Sequence, residues 1–159
     1  MTCEFDKKGH LYPYEAIVCD SLEALEYNFV TCFPVSSSRK RIYLGFLEYL
    51  FDMGNHLKNI DYQDSWKIWI DGSFISQKNH PNDLDLLNIL ADKEVLHQQK
   101  FAFEPLFAER AKESYYVDAY FLLLSETQEI KELERYWRKQ FGRSQDYSPK
   151  GFIEMTIQL

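Results

Sequence analysis

Asp83 and Asp85 stand one residue apart in the run Asp83-Leu84-Asp85-Leu86, and Asp118 interrupts an otherwise apolar run, YYVDAYFLLL, at 115–124. Successive side chains of a strand face opposite ways. Asp83 and Asp85 therefore share one face of an extended segment while Leu84 and Leu86 pack beneath it. Two carboxylates so close repel each other unless positive charge lies between them, and a divalent cation is the usual answer. A lone aspartate among aliphatic residues is also costly unless it is paired, metal-bound or at an open end. If the two segments are neighbours in one sheet, the three carboxylates converge.

Upstream, the apolar run WKIWI ends at Asp71-Gly72 and reads as a buried strand that stops where glycine frees the backbone to turn. Ser73 can cap the next segment. A short helix over 74–77 would leave its first N–H groups unpaired and facing outward, a site for phosphate oxygens. The loop 78–82 is punctuated by Pro81. Two plainer readings use the same residues. Asp71-Gly72 is also a β-hairpin signal that would pair 67–70 with 73–76, and Asp83 can be a turn residue after Pro81-Asn82, with Asp85 a solvated charge.

Gly72-Ser73, nine residues, then Asp83-Leu84-Asp85-Leu86 resembles the signature of the DNA polymerase beta-like nucleotidyltransferase superfamily, with Asp118 as the third acidic residue that family places on a neighbouring strand. More widely, WIDGSF, PNDLDL, VDAYF and the ending YWRKQFGRSQDYSPKGFIE resemble a family of short, mostly uncharacterised bacterial nucleotidyltransferase-like proteins. The resemblance implies an α+β fold of the polymerase beta palm type, a mixed, mostly antiparallel sheet flanked by helices. It implies that Asp83, Asp85 and Asp118 hold two Mg²⁺ ions and a nucleoside triphosphate, Asp118 also assisting deprotonation of the acceptor hydroxyl. Gly72 and Ser73 would hold the β and γ phosphates.

The 159 residues are read as one domain, with 1–60 an N-terminal arm and helical extension and 61–159 the core. Hydrophobic residues at 45% and charged residues at 27% are those of an ordinary globular protein. No apolar stretch approaches the length of a membrane helix, and 1–9 has no hydrophobic signal region, so a cytoplasmic location is expected. Cys3, Cys19 and Cys32 form neither a disulfide framework nor a zinc pattern. A net charge of −7 argues against general nucleic-acid or anionic-membrane affinity, although metal ions at the aspartates would reverse the sign locally. Of the aromatic residues, 16% of the chain, one could stack on a base, and most must be core.

Periodicity indicates the secondary structure that carries these residues. Residues 1–18 read as an arm with at most a short strand. Ser21 caps a first helix over 22–30, with Leu22, Leu25 and Phe29 on one face. Ser36 to Ser38 offer caps for a longer helix carrying Ile42, Phe46, Leu50, Met53 and Leu57 at helical spacing. The Arg39-Lys40-Arg41 cluster in its first turn is read as a solvated basic face before a phosphate or partner contact. A helical stretch over 93–112 is kinked near Pro105. His10, His56, His80 and His97 are isolated and make no histidine metal site. A helix over 128–141 mixes Glu129, Glu132 and Glu134 with Lys131, Arg135, Arg138 and Lys139. Arg138, Arg143 and Lys150 are the basic candidates for a nucleotide's phosphates, with ordinary surface roles the competing reading. Residues 151–159 alternate as a half-buried strand at a sheet edge.

The functional expectation is a Mg²⁺-dependent nucleotidyltransferase moving a nucleoside monophosphate from a nucleoside triphosphate to a hydroxyl of a protein, an RNA or a small molecule. A partner protein such as a toxin is one acceptor the resemblance allows. The alternative is a non-catalytic, antitoxin-like or protein-binding module that keeps the fold.

Overall fold

Ser21 opens the first helix, α1 (Leu22–Glu26), as expected: its hydroxyl accepts the Ala24 N–H at 3.1 Å. The computed structural model describes residues 3–125 and 128–159, with backbone alone for 128–130. Met1 and Thr2 of the expected arm and the Glu129 side chain lie outside these residues. Helix α1 passes into a wider π-type turn, Tyr27–Thr31, which keeps Phe29 in the core. The long helix α2 (Arg39–Asn59) then buries all five residues picked out by spacing. Its start is tied by Ser36, whose hydroxyl accepts the Arg39 N–H at 3.2 Å.

Two short strands, β1 (Glu4–Phe5) and β2 (Leu11–Tyr12), form an N-terminal hairpin. β3 (Ala16–Val18), β4 (Trp66–Asp71), β5 (Leu84–Ala91), β6 (Val117–Leu124) and β7 (Phe152–Ile157) form one five-stranded sheet in the order β3-β7-β4-β5-β6. The pairs β1–β2, β4–β5 and β4–β7 are antiparallel, whereas β3–β7 and β5–β6 are parallel. The protein is thus α+β, with a mixed sheet flanked by helices. The hairpin reading of Asp71-Gly72 does not hold, because β4 pairs with β5 across the whole 72–83 loop. Nor does β7 lie at the edge: β3 adds itself beside Phe152, Ile153 and Glu154.

A parallel partner cannot be reached by a tight turn, so β5 and β6 are joined by a long crossover. It contains α3 (Glu94–Gln98), a 3₁₀ stretch Lys100–Leu106 that accommodates Pro105, and α4 (Ala108–Tyr115). Helix α4 crosses α2 at Gly45, where an added Cβ would stand 2.8 Å from the Tyr115 carbonyl carbon. Tyr116 then takes a left-handed conformation at φ 59° and swings the chain into β6. The last helix, α5 (Gln128–Phe141), has the bounds the sequence indicates.

Alternation sorts the sheet into two buried faces. Ile68, Ile70, Leu86 and Ala119 face the α2 side, and Trp69, Leu87 and Phe152 face α5, where Trp69 meets the Phe141 and Phe152 rings at 6.3 and 5.1 Å. One polar side chain sits inside the α2 face. Asn88, wholly buried, accepts from Trp66 Nε1 at 3.0 Å and donates to Tyr49 Oη at 2.7 Å and the Tyr120 carbonyl at 3.2 Å. Removing it takes a partner from three groups and leaves the buried Trp66 N–H without one, although Tyr49 Oη still donates to the Leu106 carbonyl at 3.2 Å, so Asn88→Ala should lower stability by about 2–4 kcal/mol. Urea unfolding of the variant checks this, and a loss below about 0.5 kcal/mol would mean water replaces the amide without penalty.

Candidate functional site

The register lines up carboxylates. Asp71 ends β4 opposite Asp85 of β5, and Asp85 in turn lies opposite Asp118 of β6. Residues opposed in register point to the same side of a sheet. Asp83, two residues before Asp85, points the same way from the segment leading into β5. Four carboxylates thus gather at one end of the sheet, where β4 finishes and β5 and β6 begin.

Asp83, Asp85 and Asp118 line a polar cleft of about 680 Å³, while Asp71 is buried beside Asp85 and does not line it. Its walls bring together Gly72, Ser73, Ser76 and Lys78 from the loop after β4, Lys112 from α4, His10 from the N-terminal hairpin, and Arg143 to Asp146 with Lys150 from the segment between α5 and β7. Gly72 packs directly on Asp85. Its backbone, at φ 81° and ψ −164°, lies where only glycine sits without strain, and an added Cβ would stand 2.8 Å from the Asp85 carboxyl carbon.

Two lysines answer part of the negative charge. Lys112 Nζ lies 2.6 Å from Asp83, whose carboxylate raises the ammonium's pKa. Lys150 Nζ lies 2.7 Å from both oxygens of the buried Asp71. Burial pushes the Asp71 carboxyl up, to about 7, against the pull of Lys150 and of a hydrogen bond from Gly72. Burial also raises Asp85, to about 6, helped by the charges of Asp83 and Asp118. Unlike Asp71 and Asp83, Asp85 has no lysine at ion-pair distance among the described residues.

Hard oxygen donors on one face suit a divalent cation such as Mg²⁺, and the mutual repulsion that raises Asp85 is what such an ion relieves. The preassembly is partial. Among the described residues no three His, Cys, Asp or Glu side chains stand close enough to form a ready metal site, and Asp83 is turned onto Lys112. Residues that would hold the ion are Asp85, Asp118 and Asp83, the last by exchanging its ammonium for the cation.

Of the residues singled out from sequence, Gly72, Ser73, Asp83, Asp85, Asp118, Arg143 and Lys150 all line this cleft. Arg138 does not. Its guanidinium lies 4.7 Å above the Trp69 ring and pairs with Glu134 at 3.5 Å, lining a separate small pocket on the α5 side. The expected helix over 74–77 is a single 3₁₀ turn, Ser73–Ile75, too short to carry a helix dipole. Any phosphate contact there falls to individual N–H groups and to Ser73.

The basic cluster at the start of α2 is split. Lys40 and Arg41 are exposed, but Arg39 is completely buried. Its guanidinium donates to the carbonyls of Phe29, Phe74, Ser76 and Lys78 and lies 3.8 Å above the Phe33 ring. Desolvation lowers its pKa to about 10. Burying a charge without a carboxylate costs several kcal/mol, and carbonyl dipoles plus an aromatic face are what offset it here.

Sequence reasoning missed Asp71, Lys112, His10 and the role of Arg39. Asp71 carried a usable signal, since it ends an apolar strand immediately before the glycine turn. Lys112 and His10 carried none, because the crossover and the hairpin deliver them.

A mixed sheet with an acidic, lysine-flanked cleft at one end defines an α+β protein built around a polar cleft. The chain belongs to a family of unknown function, DUF6932, whose model matches residues 3–156. No curated protein and no solved structure matches the chain. No helix among the described residues is long and apolar enough to cross a membrane.

Proposed function

We propose that the chain is a Mg²⁺-dependent nucleotidyltransferase that moves a nucleoside monophosphate from a nucleoside triphosphate to an acceptor hydroxyl, on a fold of the polymerase beta palm type. The observation that carries this reading is the row Asp85 opposite Asp118, with Asp83 on the same face, beside a glycine turn packed on Asp85. Nucleotidyl transfer builds negative charge at phosphorus and on departing pyrophosphate, so the protein has mainly to position groups and supply positive charge.

Asp83, Asp85 and Asp118 would hold Mg²⁺, which when bound neutralises the entering and leaving oxygens. Gly72 and Ser73 would hold the phosphates, the Gly72 N–H by leaving the Asp71 carboxylate to which it donates and Ser73 through its hydroxyl, and Lys78 and Arg143 would add positive charge on the cleft walls. Asp118, at the sheet's edge strand, is the carboxylate open to an incoming acceptor and takes its hydroxyl proton. Lys112 and Lys150 hold Asp83 and Asp71 in place by ion pairs at 2.6 and 2.7 Å. The acceptor class remains a protein, an RNA or a small molecule, with a partner protein such as a toxin among the first; the location that fits is the cytoplasm, where nucleoside triphosphates are held.

A second reading has its own observation. Because Asp83 and Asp71 already hold lysines, a non-catalytic binding module that keeps the fold needs no cation at all. Calorimetric titration with ATP, GTP, CTP and UTP separates the two. The enzyme reading expects Mg²⁺-dependent binding of at least one, followed by addition of a nucleotide to a cellular partner detectable by mass. No affinity for any of the four, with or without Mg²⁺, leaves the binding-module reading.

A further inference from the structure

Residues 74–78 form the cleft wall after the glycine turn, and short irregular segments of this kind do not hold their own shape. Their other bonds are local or reach the N-terminal hairpin: Ser76 N–H and Oγ donate to the Ser73 carbonyl at 3.3 and 2.8 Å, Lys78 N–H to Ser76 Oγ at 3.2 Å, and Gln77 N–H to the Gly9 carbonyl at 2.9 Å. Three carbonyls of this stretch, those of Phe74, Ser76 and Lys78, instead point inward onto one guanidinium, that of Arg39, while its fourth acceptor is Phe29 in the π-type turn. The ring of Phe74 also packs 5.4 Å from the same group. What residues 73–78 bring to the cleft is Ser73, Ser76 and Lys78.

We propose that Arg39 is a positioning residue for the ligand-binding wall: its planar fork fixes the 73–78 backbone so that Ser73, Ser76 and Lys78 keep their places on the cleft, and so sets the affinity for the phosphate chain of a nucleotide. This rests on the nucleotidyltransferase reading for the identity of the ligand. A lysine could keep the charge but not reach carbonyls in so many directions, since an ammonium is a point donor where a guanidinium is a rigid fork.

The test compares wild type with Arg39→Lys and Arg39→Met, the lysine variant guarding against outright failure to fold. Hydrogen exchange should become at least tenfold faster for the amides of 74–78, with those of β4 and β5 unchanged. In Mg²⁺, ATP affinity should fall tenfold or more while AMP affinity moves less than threefold, because AMP lacks the phosphates the wall holds. Unchanged exchange at 74–78, or an equal rise across the whole sheet, overturns the clamp. An equal loss for ATP and AMP overturns the phosphate-specific role. A wild type that binds none of ATP, GTP, CTP and UTP sinks the nucleotidyltransferase reading itself, and the exchange pattern still decides whether Arg39 holds the wall.

Discussion

Gly72→Ala should destabilise the protein by about 2–6 kcal/mol and, at the same time, displace Asp85. Two separate effects add. The conformation at φ 81°, ψ −164° is strained for any residue with a Cβ, at about 1–3 kcal/mol. The new methyl would also overlap the Asp85 carboxylate, whose carbon would be 2.8 Å away, and overpacking of this kind costs about 1–3 kcal/mol. The carboxylate cannot simply retreat, because Asp85 is hemmed in by Asp83 and Asp118, which already raise its pKa. A double-mutant cycle in urea tells the parts apart. Asp85→Ala should remove the overlap and leave the backbone strain, giving a coupling of about 1–3 kcal/mol. Strictly additive losses would show that the glycine serves the backbone alone.

Much of this arrangement was legible because a period of two survives from sequence into a strand. Asp83 and Asp85 had to share a face, and Asp118 had to join them once its strand lay beside theirs. What alternation could not give was register across strands. Asp71 enters the row only because β4 pairs with β5 at Asp71 opposite Asp85, a match set by the length of the intervening loop. Lys112 arrives by a different route, since its reach to Asp83 depends on where a crossover of three short helical pieces ends.

Arg39 shows a signal present but outweighed. It lies four residues before Tyr43 and seven before Phe46, on the face of α2 that is buried, so helical spacing alone placed it inward. Its two basic neighbours made a solvated cluster the simpler reading. Arg138 went the other way: α5 lies over Trp69 and Phe152 rather than over the cleft, and the amphipathic pattern of a helix does not say which part of a sheet it covers.

Asp85→Asn is the substitution that best separates charge from shape. If Asp85 holds a cation that carries the nucleotide, Mg²⁺-dependent nucleotide affinity should fall by about 100-fold or more, and Asp83→Asn should do the same. The fold should persist, and at neutral pH it should gain stability. The sign is set by the raised pKa. Asp85 titrates near 6 in the folded chain against an ordinary 3.8, so the folded state holds its proton longer than the unfolded one. That advantage is complete below about pH 4 and is lost as pH rises to about 6, a loss on the order of 2–3 kcal/mol. Asparagine has no such loss. The variant should therefore match wild type in denaturant unfolding at pH 4 and exceed it at pH 8. Millimolar Mg²⁺ or Mn²⁺ should close that gap at pH 8 by stabilising wild type alone, and do nothing at pH 4, where the carboxyl is protonated. Equal stabilisation of both proteins by the cation, or nucleotide affinity that survives the exchange, would remove Asp85 from the metal site and the catalytic reading with it.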